Sequence, residues 1–115
     1  MSRPLEETAS LDRLVHEPSR LAILTALSAC RTADFLFLRS LTGLTSGNLS
    51  NHLARLEEAG LVLIEKNFRG RVPHTTVRLT GAGRESIRRH WSRLKELQQA
   101  ARRLKATVRR EPVME

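Results

Sequence analysis

Two short segments near the middle of this 115-residue chain constrain its fold more than any other feature. The first, DFLFLRSLTG, begins at Asp34, and the second, SGNLSNHLARLEEAGLV, covers residues 46–62. Their apolar residues recur at spacings of three or four, which places them on one face of an α-helix. These residues are Phe35, Leu38 and Leu41 in the first segment and Leu49, Leu53 and Leu56 in the second. Gly43 suits a left-handed helix end and Thr45 an N-cap, so the pattern predicts a helix-turn-helix.

The segments before this pair predict two further elements. We expect a flexible, polar arm over residues 1–8, followed by a short amphipathic segment that starts at Ala9 and ends at Pro18. Ser19 then suits the N-cap of a helix, SRLAILTALSAC, whose apolar residues surround it so fully that we place it at the centre of the fold. Cys30, at the end of this helix, is interpreted as a small buried hydrophobic residue.

After Gly60 the pattern changes to one typical of strands. LVLIEKNF is rich in residues that favour strands, and HTTVRLT alternates apolar with polar positions. Between them RGRVP contains Gly70 and Pro73, which interrupt the two strands. We therefore predict a hairpin with a basic loop, and the order helix, helix, helix-turn-helix, hairpin is that of a winged helix.

A long final helix is predicted over residues 81–108, with Thr80 as its N-cap. At ~1.5 Å per residue it would span roughly 40 Å, which exceeds the diameter of so small a domain. Its apolar positions step by three or four throughout, so part of the apolar stripe must project beyond the core, and a second chain is the expected cover.

The expected fold class is therefore mainly α with a small β-hairpin (α+β). We predict a winged helix-turn-helix over residues 9–80, a dimerisation helix over 81–108 that belongs to the same domain, and a flexible tail over 109–115.

Two sequence motifs in this chain resemble those of a known protein family. LSNHLARLEEAGLV, which begins at Leu49, and LTGAGR, which begins at Leu79, together resemble the compact bacterial and archaeal winged helix-turn-helix regulators of the MarR and ArsR type. The resemblance covers roughly residues 9–105. It implies a transcriptional regulator, a repressor in most such families, that binds a palindromic operator as a homodimer. It also implies that the last helix, usually together with the first, forms the dimer contact.

The dimer contact that this resemblance and the apolar stripe predict consists of Leu11, Leu14, Ile87, Trp91, Leu94, Leu97, Ala101 and Leu104. Metal sensors of the ArsR type have thiolate ligands in the helix that corresponds to DFLFLRSLTG, and this segment contains no cysteine. We therefore expect no thiol-based metal site, and no cofactor is predicted.

Charge and composition narrow the class of partner. The chain carries 20 Lys and Arg against 12 Asp and Glu, a net charge of +8, and residues 81–115 hold ten of those bases against four acids. This excess makes a polyanion the first partner to consider, although a basic helix face can also serve only solubility. The single cysteine excludes an internal disulfide and favours a cytoplasmic protein, and a double-stranded DNA partner would make it nucleoid-associated. No run approaches about 18 apolar residues, so no membrane span is expected. No spacing of acids, nucleophiles and histidines predicts an enzyme.

The first turns of the second short helix carry small polar residues and no acid, as expected for a helix that enters the major groove of DNA. The predicted DNA-contacting residues of this helix are Thr45, Ser46, Gly47, Asn48, Ser50, Asn51, His52 and Arg55, and those of the wing are Lys66, Arg69, Arg71 and His74. Asn51 is the best candidate for base reading, because an amide can bond adenine N6 and N7 together. The wing cations suit the minor groove or the phosphates. The alternatives are a helix-capping role for Asn48, a solvated surface role for Asn51 and solubilising charge on the wing.

Two other classes of function stay open from the sequence. The winged helix could be a protein-interaction module without specific DNA binding. It could also be a small-molecule or redox sensor, with a pocket between the dimer helix and the core or an intermolecular disulfide at Cys30. The sequence identifies neither an operator nor an effector.

Overall fold

The computed structural model describes residues 12–110, which form a winged helix with a long C-terminal helix. In chain order the elements are α1 (Pro18–Ala29), β1 (Thr32–Asp34), α2 (Phe35–Thr42), α3 (Ser46–Glu58), β2 (Val62–Arg69), β3 (Val72–Leu79) and α4 (Gly81–Arg110). The three strands form an antiparallel sheet in the order β1-β3-β2. The predicted fold class is confirmed. The predicted arm over 1–8 lies outside the described residues, as does Leu11. Of the tail predicted over 109–115, residues 109 and 110 belong to α4 and the rest lies outside the described residues.

A single aliphatic core lies between the helices and the sheet. α1 is at its centre, as predicted, because Ile23, Leu24 and Leu27 are fully buried. The rest of the core comes from every other element and from the chain on either side of α1; it consists of Val15, Ala33, Leu38, Leu49, Leu53, Leu56, Leu61, Val62, Val77, Leu79 and Ile87. The three leucines of α3 in this set fix the orientation of that helix, so that its other side faces outward.

The caps of α2, α3 and α4 are those that the sequence predicts. Asp34 Oδ1 accepts a hydrogen bond from Phe37 N at 2.7 Å, and α2 ends at Gly43 with φ of 70°. Thr45 Oγ1 accepts from Asn48 N at 3.1 Å at the start of α3. Thr80 Oγ1 accepts from the backbone N–H of the third residue of α4 at 2.9 Å. Each cap satisfies a backbone group that the helix itself cannot pair, which is why these polar residues define the helix ends.

The start of α1 differs from the prediction. Ser19 was the expected N-cap, but the helix begins one residue earlier, at Pro18, and Glu17 caps it by accepting from Arg20 N at 2.8 Å. Proline is tolerated at the first helical position because its missing N–H would have no partner there. The described part of the amphipathic segment before it, residues 12–17, is a turn whose Val15 packs into the core.

The sheet has a strand that the sequence analysis missed, and its hairpin is tighter than predicted. β1 pairs with residues 76–78 of β3, but three residues are too short to show the alternation that identifies a strand. At the wing, Arg69 pairs with Val72, so the turn is only Gly70 and Arg71, and Gly70 adopts φ of 63°. The wing is therefore a regular hairpin almost to its end.

Two side chains lie where the sequence analysis did not place them. Cys30 was expected to be buried, but α1 ends at Ala29 and the extended backbone of Cys30 leaves its side chain exposed. His90, to which no role was assigned from the sequence, is buried within this chain, with 3% of its surface exposed. It lies one helical turn after the core residue Ile87, on the side of α4 that faces the rest of the domain.

Candidate nucleic-acid interface

The outward side of α3 carries hydrogen-bonding groups without acids over its first two turns. The exposed residues there are Ser46, Gly47, Asn48, Ser50 and Asn51. The first acid of the helix is Glu57, near its other end, so the beginning of α3 combines uncharged polar side chains with the positive end of the helix dipole. This surface is what an anionic, hydrogen-bonding partner requires.

Arg39 adds a positive charge to this end of α3. Its guanidinium, exposed in the last turn of α2, donates from one terminal nitrogen to Ser46 Oγ at 3.1 Å. Arg39 is not among the residues that the sequence predicts to contact DNA. The feature that could have identified Arg39 is its position in the last turn of α2, because the turn at Gly43 brings that end of α2 close to the start of α3.

His52 occupies a different environment from its neighbours on α3. Its Nδ1 lies 3.2 Å from a terminal guanidinium nitrogen of Arg20 and 3.8 Å from Glu17 Oε2. Because arginine has donors but no acceptor, Nδ1 is the acceptor in this contact. His52 thus uses one nitrogen to join α3 to α1, and only Nε2 is left for a DNA phosphate.

Arg20 is the residue that holds this junction together. It is 8% exposed, and its Nε donates to Leu14 O at 2.6 Å in the turn before α1. Burial raises the pKa of Glu17, but the backbone N–H groups of Arg20 and Ser19 and the charges of His52 and Arg20 together lower it by more, so the pKa of Glu17 lies below its ordinary value. Arg20 could not be identified from the sequence, because an arginine in an apolar helix shows no periodic signal of its partners.

The far end of α3 is tied to the wing. Glu57 Oε2 accepts from Ile64 N in β2 at 3.1 Å, which gives this acid a structural role away from the acid-free surface. Arg55 is exposed one turn beyond Asn51. Lys66 and Thr75 of the wing line an open groove together with Ser50 and other residues of α3. Lys66 is therefore placed beside α3, and Arg55 can extend the same polar surface.

The tip of the wing carries two exposed cations. Arg69 and Arg71 lie on either side of Gly70, at the end farthest from the core. His74 is less accessible for a contact with DNA, because its Nε2 is buried; this nitrogen has no hydrogen-bond partner among residues 12–110. The wing also exposes a large aromatic side chain, Phe68, at 73%. Phe68 is not among the residues predicted from the sequence to form the wing surface. It shares a sheet face with Lys66, because side chains two residues apart in a strand point the same way.

A second exposed surface on the molecule is apolar and runs along α4. Trp91 and Leu104 are 46% and 57% exposed, Leu94 and Leu97 are half-buried, and Ala101 is exposed. Near Trp91 this stripe continues into a groove that Leu21, Ala26, Phe37 and Leu41 help to line. Of the other residues predicted for the dimer contact, Ile87 lies in this chain's own core and Leu14 packs against that core. The apolar surface left for a partner therefore begins at Trp91.

Two kinds of site are absent from the described part of the chain. Across residues 12–110 no three His, Cys, Asp or Glu side chains come close enough together to bind a metal ion. Over the same residues no helix combines the length and the apolar character that a membrane crossing needs.

An acid-free helix N-terminus beside a basic two-stranded wing, both carried by a small aliphatic core, defines the class of winged helix DNA-binding proteins. The family described as winged helix DNA-binding domain matches residues 19–98, and the chain belongs to this family. It is a winged helix transcriptional regulator, consistent with DNA binding, and it shares its fold with a solved regulator of the MarR family. The predicted family is thereby confirmed, and so is the prediction of a regulator and not an enzyme.

Similar proteins come from archaea and bacteria. The transcriptional regulator homologue protein from Pyrococcus horikoshii OT3 is 34% identical, with a TM-score of 0.77 over 85% of this chain and 96% of that one. The uncharacterized protein MJ0432 from Methanocaldococcus jannaschii is 36% identical over 72 residues, which are 62% of this chain and 77% of that protein. MepR from S. aureus, solved as a DNA complex, shares the fold with a TM-score of 0.68 at 18% identity, over 90% of this chain and 86% of MepR.

Proposed function

We propose that this chain is a sequence-specific repressor that binds a palindromic double-stranded operator as a homodimer. α3 enters the major groove, and the wing lies on the minor groove or the backbone. The observation that carries this proposal is the exposed, acid-free surface at the beginning of α3.

The side chains on this surface suit close approach and base reading. Gly47 and Ser50 are small, so the helix backbone can come near the base edges. Asn48 and Asn51 are exposed and carry amides that can donate and accept at the same time, as adenine N6 and N7 require. Direct readout of base pairs in the major groove is therefore assigned to Asn51 first, with Asn48 and Arg55 beside it.

The exposed cations around this surface supply affinity. Arg39 lies at the start of α3, Lys66 lies beside it, and Arg69 and Arg71 form the tip of the wing. Lysine and arginine contacts to phosphates release condensed counterions and fix the position of a protein on the duplex, with little information about sequence. The net charge of +8 agrees with this role.

The second copy of the chain is placed on the apolar surface of α4. Trp91 and Leu104 are large apolar residues exposed in an otherwise charged helix, and the stripe between them is continuous. Two copies that cover this stripe bury it and relate two recognition helices by a two-fold axis. A two-fold protein reads two inverted half-sites, which is why a palindromic operator follows from the dimer.

The proposal is tested by selecting genomic fragments that the purified full-length chain retains and by sequencing them. Recovery of one inverted-repeat motif, bound far more tightly than its scrambled version, is the expected result. Recovery of fragments without a shared motif would leave only non-specific binding. A chain that shifts no DNA at all would instead favour a protein-interaction module.

A further inference from the structure

The wing carries the most exposed large apolar side chain among residues 12–110. Phe68 in β2 is 73% exposed, in a chain that has only three phenylalanines and one tryptophan. An apolar side chain stabilises a fold by leaving water, and at this exposure Phe68 contributes little in that way. Because single exposed apolar residues are common on protein surfaces, its surroundings decide whether it belongs to a binding surface.

Phe68 is one of four residues that share one face of the wing. The register of the hairpin places Phe68 opposite Pro73, and Lys66 opposite Thr75. Paired residues of an antiparallel hairpin point to the same side, as do residues two apart in one strand. These four residues, here named the Phe68 surface, are apolar towards the tip of the wing and basic nearer the core.

The Phe68 surface lies on the side of the wing that faces α3. Ile64, two residues before Lys66 in β2, packs against the core, and Lys66 and Thr75 line an open groove together with Ser50 of α3. Phe68 is the next residue outward on this face. At ~3.3 Å per residue, residues 67–70 extend the wing by about 13 Å beyond this groove. This length is similar to the roughly 17 Å, half of one helical turn, between a major groove and the next minor groove.

The charges around the Phe68 surface favour an anionic partner. The surface contains no acid, and the exposed Arg69 and Arg71 lie beside it at the tip. The acid of β2, Glu65, points to the other face of the hairpin, where its Oε1 lies 3.6 Å from Arg78 Nη2. An apolar surface bordered by cations matches the walls of the DNA minor groove, where the apolar faces of deoxyribose lie between rows of phosphates.

We propose that the Phe68 surface packs against the deoxyribose walls of the minor groove beside the major groove that α3 enters. This inference rests on the DNA binding proposed above. Phe68 and Pro73 leave water on binding, while Arg69 and Arg71 contact the phosphates at the edges of the groove. Burial of apolar surface releases no counterions, so the contribution of Phe68 to affinity is independent of salt, unlike that of the arginines.

The first test compares Phe68→Ser with Val72→Ser in the full-length protein. Val72 is 66% exposed and pairs with Arg69, so it lies on the other face of the wing. Fluorescence anisotropy over a range of salt concentrations measures affinity for the operator and for a scrambled duplex. Phe68→Ser should weaken binding to both about tenfold at every salt concentration, with the salt slope unchanged, while Val72→Ser keeps nearly the wild-type affinity. Equal weakening by both variants, or a changed slope in Phe68→Ser, would overturn the proposal.

A third variant, Phe68→Leu, separates contact with DNA from support of the hairpin. Leucine keeps an apolar side chain at this position, so Phe68→Leu should recover most of the affinity that Phe68→Ser loses. A Phe68→Leu protein that binds as weakly as Phe68→Ser would contradict an apolar contact. A lower mass of Phe68→Ser in light scattering, with unchanged DNA affinity, would place a second copy of the chain on this surface and overturn the proposal.

Hydroxyl-radical footprinting on the operator locates the contact, because these radicals cut DNA at deoxyribose hydrogens that are exposed in the minor groove. Phe68→Ser should lose the minor-groove protection that the wild type gives beside each half-site, and keep the protection of guanine N7 in the major groove. Unchanged minor-groove protection in Phe68→Ser would contradict the proposal. Every duplex has deoxyribose walls, so a wild type without sequence preference would overturn the proposed function, while the affinities for the scrambled duplex would still decide the role of Phe68.

Discussion

Asn51 shows how one side chain can be tested for sequence reading. It is exposed on the second turn of α3, while Leu49 and Leu53 on either side of it are buried, so its replacement should leave the core intact. We predict that Asn51→Ala weakens binding to the operator by about 1–3 kcal/mol, because a bidentate contact to one base is lost. Binding to scrambled DNA should change little. Fluorescence anisotropy with both duplexes measures the two affinities.

Arg71 at the wing tip provides the contrast to Asn51. Arg71→Ala should weaken operator and scrambled DNA alike and reduce the slope of log affinity against log salt by about one unit, because one phosphate contact is removed. If Asn51→Ala behaved in the same way as Arg71→Ala, Asn51 would contact only the backbone of the DNA. An unchanged salt slope in Arg71→Ala would remove Arg71 from the phosphate contacts.

Some residue roles could be predicted from the sequence and others could not. The exposed positions of Asn51 and of the wing arginines could be predicted, because local spacing alone places them on an outward helix face and at a turn, and their contacts with DNA stay predictions. The contact between Arg20 and His52 joins residues 32 positions apart, and no local pattern encodes it. The burial of His90 likewise depends on how α4 packs against the turn before α1. The buried position of His90 was therefore not visible before the structure was known.

Among the elements, the packing of α4 against the loop before β2 depends on Gly83. A methyl group there would overlap the carbonyl oxygen of Leu61 and approach the side chain of Leu79. We predict that Gly83→Ala lowers the free energy of unfolding by about 1–3 kcal/mol, because backbone atoms must move to make room. Urea denaturation followed by circular dichroism measures this change.

Gly81 is the matched control for Gly83, since it lies two residues earlier in α4 and nothing would contact an added methyl group. Gly81→Ala should leave stability unchanged or raise it by up to about 1 kcal/mol, because alanine loses less conformational freedom in a helix. Equal destabilisation by both substitutions would mean that the start of α4 requires glycine for a reason other than the contact with Leu61.

The cap of α1 predicts a dependence on pH. The pKa of Glu17 is lowered in the folded protein, so its ionised form stabilises the fold above the ordinary value of 4.5, and this contribution is lost as the pH falls through the lowered pKa. Glu17→Gln should therefore be less stable than the wild type at neutral pH, by up to about 1 kcal/mol, and equally stable in strong acid. Urea unfolding across this pH range measures the difference. Glu58→Gln, at an exposed acid, is the control; a Glu17→Gln deficit that stays constant with pH contradicts the role of the charge.

The extent to which elements can be predicted follows from their length and their caps. α2 and α3 were placed almost to the residue, because Asp34, Gly43 and Thr45 carry local end signals. β1 was missed because its three residues form a strand only by pairing with β3, and the start of α1 was misplaced because a proline preceded the serine that could have capped it. The local sequence was sufficient to predict a helix whose ends are marked by capping residues. It was insufficient for a strand that forms only by pairing with a distant segment.

For the whole molecule, the apolar stripe of α4 makes the oligomeric state testable. Leu104 is 57% exposed and lies beyond the part of α4 that packs on the core. We predict that Leu104→Glu converts a dimer into a monomer at micromolar concentration without changing helical content, because a charge would have to be buried between the two chains. Light scattering during gel filtration measures the mass. Gln99→Glu, five residues earlier and on a roughly opposite side of the helix, should remain dimeric; a wild-type monomer would contradict the proposed interface.

The whole assembly, two α3 helices and two wings on one two-fold axis, is proposed to recognise a specific DNA sequence. The most direct test is the ratio of dissociation constants for the selected operator and for a scrambled duplex of the same composition, measured at physiological salt. Specific regulators bind their sites about a thousandfold or more tightly than other DNA, and we predict a ratio in this range. Equal affinity for the two duplexes would contradict the proposed function, since the acid-free surface of α3 would then serve only to approach phosphates.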